Sequence, residues 1–414
     1  FGIDVYTPGN WDFGYGAAVF RNRFTTFGPK PTIPGNIRTM SGYIGCDDVP
    51  VIAGLTDAAS GYICSENLAT APSPTPAGKG VIKANFPTVA ANLYNDTTGL
   101  PLPPQLHDKR LLHAYQMLER NGTTIAVIGL TAAIVPQQAD TFNIGLRFTQ
   151  GVEELPGLIK KVKEEEGAEL IVVQSELGLS QNIKIAQSFE DIDVMYSAHT
   201  HEVTLGALIV DKNGVIRTSP GGPLSGQEVS RLARGAAIVV ETNRDMYVGR
   251  LDLKMGGNKI VDFDWEAIPV DESVKEDPAM AELVAAMEAP FVDGDAFIPH
   301  TFKPGGFTTG GLQLVDDLDT VVGYTDTLLL RHSVLEDTLN NFIADGIREV
   351  TSPVVQYSGV AGWGKNGVDI SMANGFRFGN AVLPGQAITL RDLYTWFPIA
   401  PAVNVADFSG QSIQ

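Results

Sequence analysis

The sequence predicts a mixed α/β protein with two domains. Two apolar runs of strand length, residues 168–174 and 192–196, enclose a segment of helical character, and this order is typical of a layered α/β architecture. At 414 residues the chain is too long for one ordinary hydrophobic core. Between about residues 270 and 314 the composition changes to mixed charge and then to Pro and Gly, which predicts a domain boundary there.

The first predicted elements precede and connect these two runs. Residues 124–130 are apolar and follow the turn pair Asn121-Gly122, so we expect them to pair with residues 114–119 as a hairpin. Residues 151–166 carry apolar side chains at helical spacing with charges on the other side, which predicts an amphipathic helix. A further helix is predicted over residues 180–189.

The later elements favour a second sheet and then a second small α/β domain. Residues 236–241, 246–253 and 260–265 are strand-like and separated by turn signals, so we assign them to a second sheet. Beyond the boundary, residues 336–350 predict a helix and residues 369–372 a strand. The chain contains no internal repeat and no low-complexity tract.

Residues 36–79 are predicted to be an inserted loop, because turn formers dominate and few apolar positions are periodic. This segment holds both cysteines of the chain, Cys46 and Cys64, which are a candidate disulfide if the compartment is oxidising. Glycosylation triplets begin at Asn95 and Asn121 and fit an exported protein. An extracellular or periplasmic location is therefore expected.

Composition and charge restrict the class of partner. The chain has 48 acidic and 29 basic residues and a formal net charge of −19, which argues against nucleic acid or anionic lipid as a partner. A small anionic substrate remains compatible if metal cations and a few arginines supply local positive charge. No apolar run reaches the length of about 18 residues that a membrane span requires.

Two histidines directly follow a predicted strand, in the segment Ser197-Ala198-His199-Thr200-His201. If the strand continues, side-chain alternation places the imidazoles of His199 and His201 on the same side, where they can serve one metal or two adjacent metals. Open α/β sheets bind ligands at the carboxyl ends of their strands. The alternative interpretation is a polar strand end with exposed histidines.

Other candidate ligands lie at comparable positions. Glu176 follows the apolar run 168–174, although Ser175 as a helix cap and Glu176 as a first-turn charge would also explain this pair. Asn10 and Asp12 lie in a Gly-rich turn near the start of the chain. Together, an Asn, a Glu and two His form a mixed oxygen and nitrogen ligand set that suits Mn, Fe or Zn.

Five short motifs, in chain order, are similar to those of one enzyme family. They are Gly9-Asn10 for Gly-Asn-His-Glu, residues 86–92 for Phe-Pro-x-x-x-x-Asn, residues 125–130 for an Ala-x-x-Gly strand, Ser175-Glu176 for Ser-His-x-Gly, and residues 197–201 for Gly-His-Thr-His. Further along, residues 374–377 resemble an Asn-Gly-Gly-x-Arg loop. The chain thus resembles the 5′-nucleotidase family of calcineurin-like metallophosphoesterases, with features of its divergent, SoxB-like branch.

The resemblance implies a four-layer αββα metallophosphoesterase domain over residues 1–268, a linker over residues 269–317, and a smaller α/β substrate-binding domain over residues 318–414. The smaller domain is the family's 5′-nucleotidase C-terminal type. Its expected contacts with the substrate anion come from Asn374, Gly375 and Arg377, since a guanidinium pairs with phosphate or sulfate through two hydrogen bonds.

The resemblance also implies two divalent metal ions. Asn10, Glu176 and His199 would hold one ion, and His201 would help to hold the other. Glu176 stands where the family has a histidine, so it adds a negative charge and favours Mn, Fe or Mg over Zn. Mn is the expected metal.

The chain departs from the family pattern at the catalytic dyad. Trp11 replaces the proton-handling His, and Gly14 replaces the Asp that supports it, so Trp11 and Asp12 are the catalytic candidates left in this turn. Trp cannot shuttle a proton. The family's Asp-x-His and Gly-Asp motifs do not precede Gly9, so we expect the missing carboxylates upstream of Phe1 and both domains to be incomplete.

The function expected from these features is metal-dependent hydrolysis of phosphate esters, with a nucleotide or another phosphate ester as the small anionic substrate. The exchanged dyad predicts slow turnover of esters with poor leaving groups. A SoxB-like thiosulfohydrolase and a catalytically weak or inactive surface or scaffold protein are the alternatives. The sequence leaves the oligomeric state open.

Overall fold

The computed structural model describes residues 3–14, 16–24, 84, 86–98, 104, 107–138, 140–242, 247–292, 294–295, 297, 300–302, 312–330, 337–357, 367–373, 381–397 and 403–414. Within these residues the chain forms two compact units, which divide between Asp277 and Pro278. The predicted division at residues 268 and 318 remains a prediction.

The first unit contains most of the regular structure. A short 3-10 helix spans Asn10–Phe13. In chain order the helices and strands are α1 Ala17–Phe24, β1 Leu93–Asn95, β2 Tyr115–Arg120, β3 Thr123–Leu130, α2 Val135–Gln138, α3 Asp140–Asn143, β4 Leu146–Phe148, α4 Leu155–Glu164, β5 Leu170–Ser175, α5 Leu179–Ser188, β6 Val194–Ser197, β7 Leu208–Asp211, β8 Gly214–Arg217, α6 Gly226–Ala233, β9 Ala237–Val240, β10 Tyr247–Met255 and β11 Ile260–Pro269.

A seven-stranded mixed sheet organises this unit, with the strand order β2-β3-β5-β6-β9-β7-β8. The four central strands β3, β5, β6 and β9 run parallel, and antiparallel strands flank them. Leu130 pairs with Ser175, and Ser175 pairs with Ser197, so three adjacent parallel strands end at the same level. The carboxyl edge of the sheet therefore brings together the residues that follow each strand.

Hydrophobic side chains cover both faces of the sheet. On one face, Ile171, Val173 and Met195 pack against helices α4 and α5, while on the other face Val172 and Val194 lie in a core that includes Trp265 of the β10–β11 hairpin. Full burial of one such aliphatic side chain contributes about 1.5 to 3 kcal/mol. The predicted α/β layers follow from this two-sided burial of the central strands.

The predicted elements of the first unit are confirmed with small shifts at their ends. The β2–β3 hairpin turns at Asn121 and Gly122, both with positive φ, as a two-residue turn with this residue pair requires. The helix predicted over residues 151–166 begins at Leu155, and the helix predicted over residues 180–189 is α5.

The assignment of residues 236–241 to a second sheet was wrong. Strand β9 joins the main sheet as the parallel neighbour of β6, whereas β10 and β11 form a separate two-stranded hairpin. Every residue of β9 is buried, as a central strand covered on both faces requires. In contrast, β10 alternates between partly buried and exposed positions because it covers the sheet with one face.

The second unit consists of short strands and helices. These are α7 Pro278–Val292, β12 His300–Phe302, β13 Leu312–Leu314, β14 Val321–Tyr324, α8 Thr338–Tyr357, β15 Ala387–Thr389, α9 Leu390–Trp396 and α10 Gly410–Ile413. Its small core includes Leu339 and Ile343 of α8 together with Trp396 of α9. Within the described residues, no helix is long and apolar enough to cross a membrane.

Two sequence predictions for this unit had different outcomes. The helix predicted over residues 336–350 is confirmed as α8, which extends to Tyr357. The strand predicted over residues 369–372 was wrong, because these residues form no strand. Its apolar side chains Ile370 and Met372 are exposed, Met372 by 82%, so they have no core face that would fix a strand register.

Candidate metal centre

Two of the predicted ligands, Glu176 and His199, lie together at the carboxyl edge of the parallel strands. Glu176 directly follows β5, and His199 lies two residues beyond β6. Backbone hydrogen bonds from Glu176 N to Leu130 O and from Ala198 N to Ser175 O continue the strand pairing at this edge. Sheet topology therefore places both side chains at one end of the sheet.

Glu176 and His199 are in direct contact. The distance from Glu176 Oε2 to His199 Nδ1 is 2.9 Å, and the two side chains are 16% and 24% exposed. Although this is an ion-pair distance, Glu176 Oε2 is buried and accepts no hydrogen bond from any described residue. A buried carboxylate oxygen this close to an imidazole nitrogen fits a pair of metal ligands.

The turn that carries Asn10 lies against Glu176. A Cβ atom on Gly9 would lie 2.9 Å from Glu176 Oε1, so a larger residue here would require Glu176 to shift. Thr131 Oγ1, at the end of β3, donates a hydrogen bond of 2.7 Å to Pro8 O and anchors the turn to the same edge. Asn10 itself is buried and begins the 3-10 helix.

The structure places the two catalytic candidates of this turn differently. Asp12 Oδ2 accepts hydrogen bonds from Gly9 N at 2.9 Å and from the Tyr6 hydroxyl at 2.6 Å, so this carboxylate shapes the turn. Burial raises the pKa of Asp12, and burial together with the adjacent Asp12 raises the pKa of Tyr6. Trp11 is 38% exposed.

The predicted alternation of the two histidines was wrong. Strand β6 ends at Ser197, and His199 and His201 have φ angles of 84° and 54°. Both angles lie in the left-handed region, which costs a residue other than glycine about 1 to 3 kcal/mol and is frequent at functional sites. The histidines therefore project from a tight loop, and no strand periodicity relates them.

Sequence reasoning missed Glu241, which follows β9 at the same edge. Its side chain is 1% exposed, and its carboxylate accepts hydrogen bonds from Ser197 Oγ at 2.5 Å, Glu202 N at 2.9 Å and Thr200 Oγ1 at 3.1 Å. A single acidic residue directly after a fully apolar strand was the available signal. The assignment of that strand to another sheet concealed it.

Asn182 of α5 was also missed. Its buried side chain donates to Ser197 Oγ at 2.8 Å and accepts from Ser175 Oγ at 2.6 Å, so it connects the ends of β5 and β6. The interpretation of Ser175 as a helix cap is wrong, because Ser175 is the last residue of β5 and α5 begins at Leu179.

Three side chains among the described residues have donor atoms that suit a divalent cation. Glu176, His199 and the neighbouring Asn10 offer one carboxylate, one imidazole and one amide oxygen, a set that suits Mn, Fe or Zn. No group of three His, Cys, Asp or Glu side chains within the described part of the chain could by itself hold a metal ion. The ligand set of Asn10, Glu176 and His199 remains a prediction, as does the second ion expected beside His201.

Other predicted site residues lie outside the described residues: Asn374, Gly375 and Arg377 of the substrate loop, and Cys46 and Cys64 of the predicted insertion at residues 36–79. Of the two glycosylation triplets, Asn95 is unsuitable in the folded protein because it is buried and its side chain bonds to Arg21 and Lys109 O. Asn121 is exposed at the β2–β3 turn.

The C-terminal residues match a known domain family. Residues 321–414 match the model of the 5′-nucleotidase C-terminal domain. The chain is 25% identical over 313 residues to the trifunctional nucleotide phosphoesterase protein YfkN of Bacillus subtilis, a match that covers 73% of this chain and 17% of that protein. It is 26% identical to the 5′-nucleotidase of Vibrio cholerae over 49% of this chain and 39% of that protein.

Solved structures share the fold. The Thermus thermophilus sulfate thiohydrolase SoxB superposes with a TM-score of 0.52 at 21% identity, covering 76% of this chain and 46% of that one. A 5′-nucleotidase precursor from the same organism superposes with a TM-score of 0.51 at 19% identity. This match covers 76% of this chain and 53% of the precursor. The chain thus spans about half or less of the length of these relatives. These comparisons confirm the similarity to the 5′-nucleotidase family and the two-domain mixed α/β fold.

Proposed function

We propose that this chain, with its similarity to the 5′-nucleotidase family, is part of a metal-dependent hydrolase of phosphate esters. The observation that carries the proposal is the contact between Glu176 and His199, 2.9 Å apart at the carboxyl edge of the sheet, with the Gly9-Asn10 turn against Glu176. The relatives named nucleotide phosphoesterase and 5′-nucleotidase support a nucleotide or related ester as the substrate.

The proposed ligands are Asn10, Glu176 and His199 for one divalent cation and His201 for a second. Mn is favoured over Fe or Zn because the set includes a carboxylate and an amide oxygen. When bound, such cations polarise a phosphoryl oxygen and lower the pKa of a water molecule. The protein contributes the orientation of these side chains, with Asp12 and Tyr6 holding the turn that carries Asn10.

Because Trp11 stands at the position of the dyad His, we expect the enzyme to lack general acid catalysis. An indole donates a hydrogen bond but cannot deliver a proton to a leaving group. General acid catalysis contributes about 10² to 10⁴-fold, so the loss falls on esters whose leaving groups need protonation. We propose slow hydrolysis of adenosine monophosphate and faster hydrolysis of an activated aryl phosphate.

A direct test compares these two substrates at equal concentration, with added Mn²⁺ and after treatment with a chelator. We expect the aryl phosphate to turn over faster by about 10²-fold or more and both activities to disappear with the chelator. Equal and fast hydrolysis of both esters contradicts the proposed role of Trp11. Activity that survives complete metal removal contradicts the metal-dependent mechanism.

Thiosulfohydrolysis, as in SoxB-like enzymes, is the second candidate. The observation that favours it is the exposed Trp11 at the position of the dyad His, because a sulfur leaving group needs less protonation than an alkoxide. Sulfate release from a carrier protein that bears a cysteine S-thiosulfonate would support this candidate. If the protein binds no metal and hydrolyses neither substrate class, a scaffold role that retains the fold replaces both enzyme proposals.

The proposed setting is extracellular or periplasmic, with a small anionic substrate and no nucleic acid partner. The net charge of −19 supports the exclusion of nucleic acid. Arg377, with Asn374 and Gly375, is the proposed contact of the substrate anion, since a guanidinium offers two parallel hydrogen bonds to phosphate.

A further inference from the structure

We propose that Glu241 is a positioning residue that fixes the histidine loop, defined here as residues 197–204, and thereby orients His199 and His201. The inference rests on the proposed function in one respect, because the histidines are taken as metal ligands. The contacts that carry it, however, belong to the protein alone. Glu241 lies on the strand next to β6, so it is placed to hold the loop that leaves β6.

The direction of each hydrogen bond shows that Glu241 acts as an acceptor. Ser197 Oγ accepts from Asn182 Nδ2 at 2.8 Å, so its single hydrogen is directed to Glu241 Oε2 at 2.5 Å. Likewise, Thr200 Oγ1 accepts from Leu179 N at 3.1 Å, so its hydrogen is directed to the Glu241 carboxylate at 3.1 Å. A hydroxyl has one hydrogen to donate, and in both residues that hydrogen has the Glu241 carboxylate as its acceptor.

The third contact has the same direction. The amide of Glu202 donates to Glu241 Oε1 at 2.9 Å. All three groups that face Glu241 are therefore donors, and only a side chain that accepts at both oxygens satisfies them. A carboxylate accepts at both oxygens, and its contact with Ser197 is short, at 2.5 Å. The three hydrogen bonds compensate for the burial of this polar side chain.

The backbone of Glu241 fixes the other end of the loop. Thr204 N donates to Glu241 O at 2.9 Å, and Glu241 N donates to Thr204 Oγ1 at 2.9 Å. Between these anchors lie the two positive-φ histidines. Unfavourable backbone conformations persist only where their surroundings impose them. Glu241 contacts the loop before, between and after the two histidines. It is therefore well placed to impose their backbone conformations.

The decisive variant is Glu241→Gln, which keeps the size of the side chain but puts an NH₂ group opposite one of the donors. Its matched control is Glu228→Gln, another buried glutamate, which caps helix α6 with Ser225 and lies outside the histidine loop. Binding of Mn²⁺ to the metal-free protein is measured by titration calorimetry. Glu241→Gln should weaken binding about 10 to 100-fold, as loss of a group that orients a ligand does, and Glu228→Gln should leave it unchanged.

Thr200 provides a second, conservative pair. Thr200→Val removes the hydroxyl that joins Leu179 N to Glu241 and should weaken Mn²⁺ binding in the same direction. Thr200→Ser keeps the hydroxyl and should restore binding to within a few-fold of the unaltered protein. If Glu241→Gln binds Mn²⁺ with unchanged affinity, or if Glu228→Gln loses as much, the positioning role is wrong.

Hydrogen exchange of the metal-free protein separates this inference from the proposed function. The Glu202 amide and its neighbours in the histidine loop should exchange faster in Glu241→Gln than in Glu228→Gln. If the unaltered protein binds no Mn²⁺ but this difference is seen, the proposed function fails while the positioning role stands. Equal exchange of the loop in both variants overturns the positioning role whatever the metal result.

Discussion

The two edges of the central parallel strands hold buried carboxylates under opposite conditions. At the amino edge, Asp193 accepts a hydrogen bond of 2.8 Å from Ile171 N, and burial raises its pKa to about 6. At the carboxyl edge, Glu241 is nearly inaccessible but faces three donors. Each donor that faces a buried carboxylate offsets part of the cost of removing it from water. Donor density thus distinguishes the edge where chemistry is proposed from the edge that serves packing.

The largest effect should follow from crowding the carboxyl edge with Gly9→Ala. The added methyl group would lie 2.9 Å from Glu176 Oε1, and the extended backbone of Gly9 (φ −93°) accommodates alanine without strain. The methyl group must therefore displace Glu176. Since a misplacement of about 1 Å costs roughly 10²-fold, we expect kcat/KM for an aryl phosphate to fall by about that factor. Steady-state kinetics with Mn²⁺ and calorimetric Mn²⁺ binding measure this effect.

Gly157→Ala is the matched control for this change. Gly157 lies in helix α4, where an added Cβ meets no atom within 4 Å, so the same substitution should leave kcat/KM unchanged. It should also stabilise the protein by about 0.5 to 1 kcal/mol, the usual difference between Gly and Ala inside a helix. Full activity of Gly9→Ala would show that Glu176 is not held against the Gly9-Asn10 turn for catalysis.

At the amino edge, Asp193→Asn should change the pH dependence of stability. The folded-state pKa is raised from 3.8 to about 6 by burial, so the folded protein holds the proton more tightly than the unfolded chain. The stability associated with this proton is fully present below about pH 3.8 and is lost as the pH rises through about 6. At about 1.36 kcal/mol per pKa unit, the loss amounts to roughly 2 to 3 kcal/mol.

Asparagine cannot ionise, and its Oδ1 can still accept from Ile171 N. We therefore expect Asp193→Asn to equal the unaltered protein at low pH and to exceed its free energy of unfolding by about 2 kcal/mol above pH 6. Urea denaturation across pH 3.5 to 7.5 measures this difference. Asp191→Asn removes an exposed ion pair with Lys163 and should change stability by less than about 1 kcal/mol. Parallel pH profiles for all three proteins would contradict the assignment.

Local pattern was sufficient to predict the α/β core. The apolar runs and helical spacing that precede His199 correspond to β3, α4, β5, α5 and β6, because each of these elements buries a face that its own sequence defines. Neighbours along the sheet were harder to predict. The fully apolar β9 does not indicate which strand it pairs with, so its place beside β6, and with it Glu241, became visible only in the folded sheet.

The candidate site shows the same limit. The residue types at Asn10, Glu176 and His199 predicted metal ligands, and the carboxyl-edge rule predicted that Glu176 and His199 would meet. The positive φ of His199 and His201 could not be predicted, because Glu241, which contacts this loop through hydrogen bonds, is distant from it in sequence. The role of Asp12 was equally hidden, since its partner Tyr6 carries no sign in the sequence of donating to it.

The smallest effect tests whether the donor network of the carboxyl edge also stabilises the fold. Ser175→Ala removes the hydroxyl that donates to Asn182 Oδ1 at 2.6 Å and leaves a buried acceptor without that donor. A loss of about 1 to 2 kcal/mol in the free energy of unfolding is expected, read as a lower urea midpoint at unchanged slope. Ser188→Ala removes a hydroxyl bonded to Lys184 O at an exposed position and should cost less than about 0.5 kcal/mol. If the two variants lose the same free energy of unfolding, the hydrogen-bond network at the carboxyl edge does not contribute measurably to stability. The network would then only orient the histidine loop.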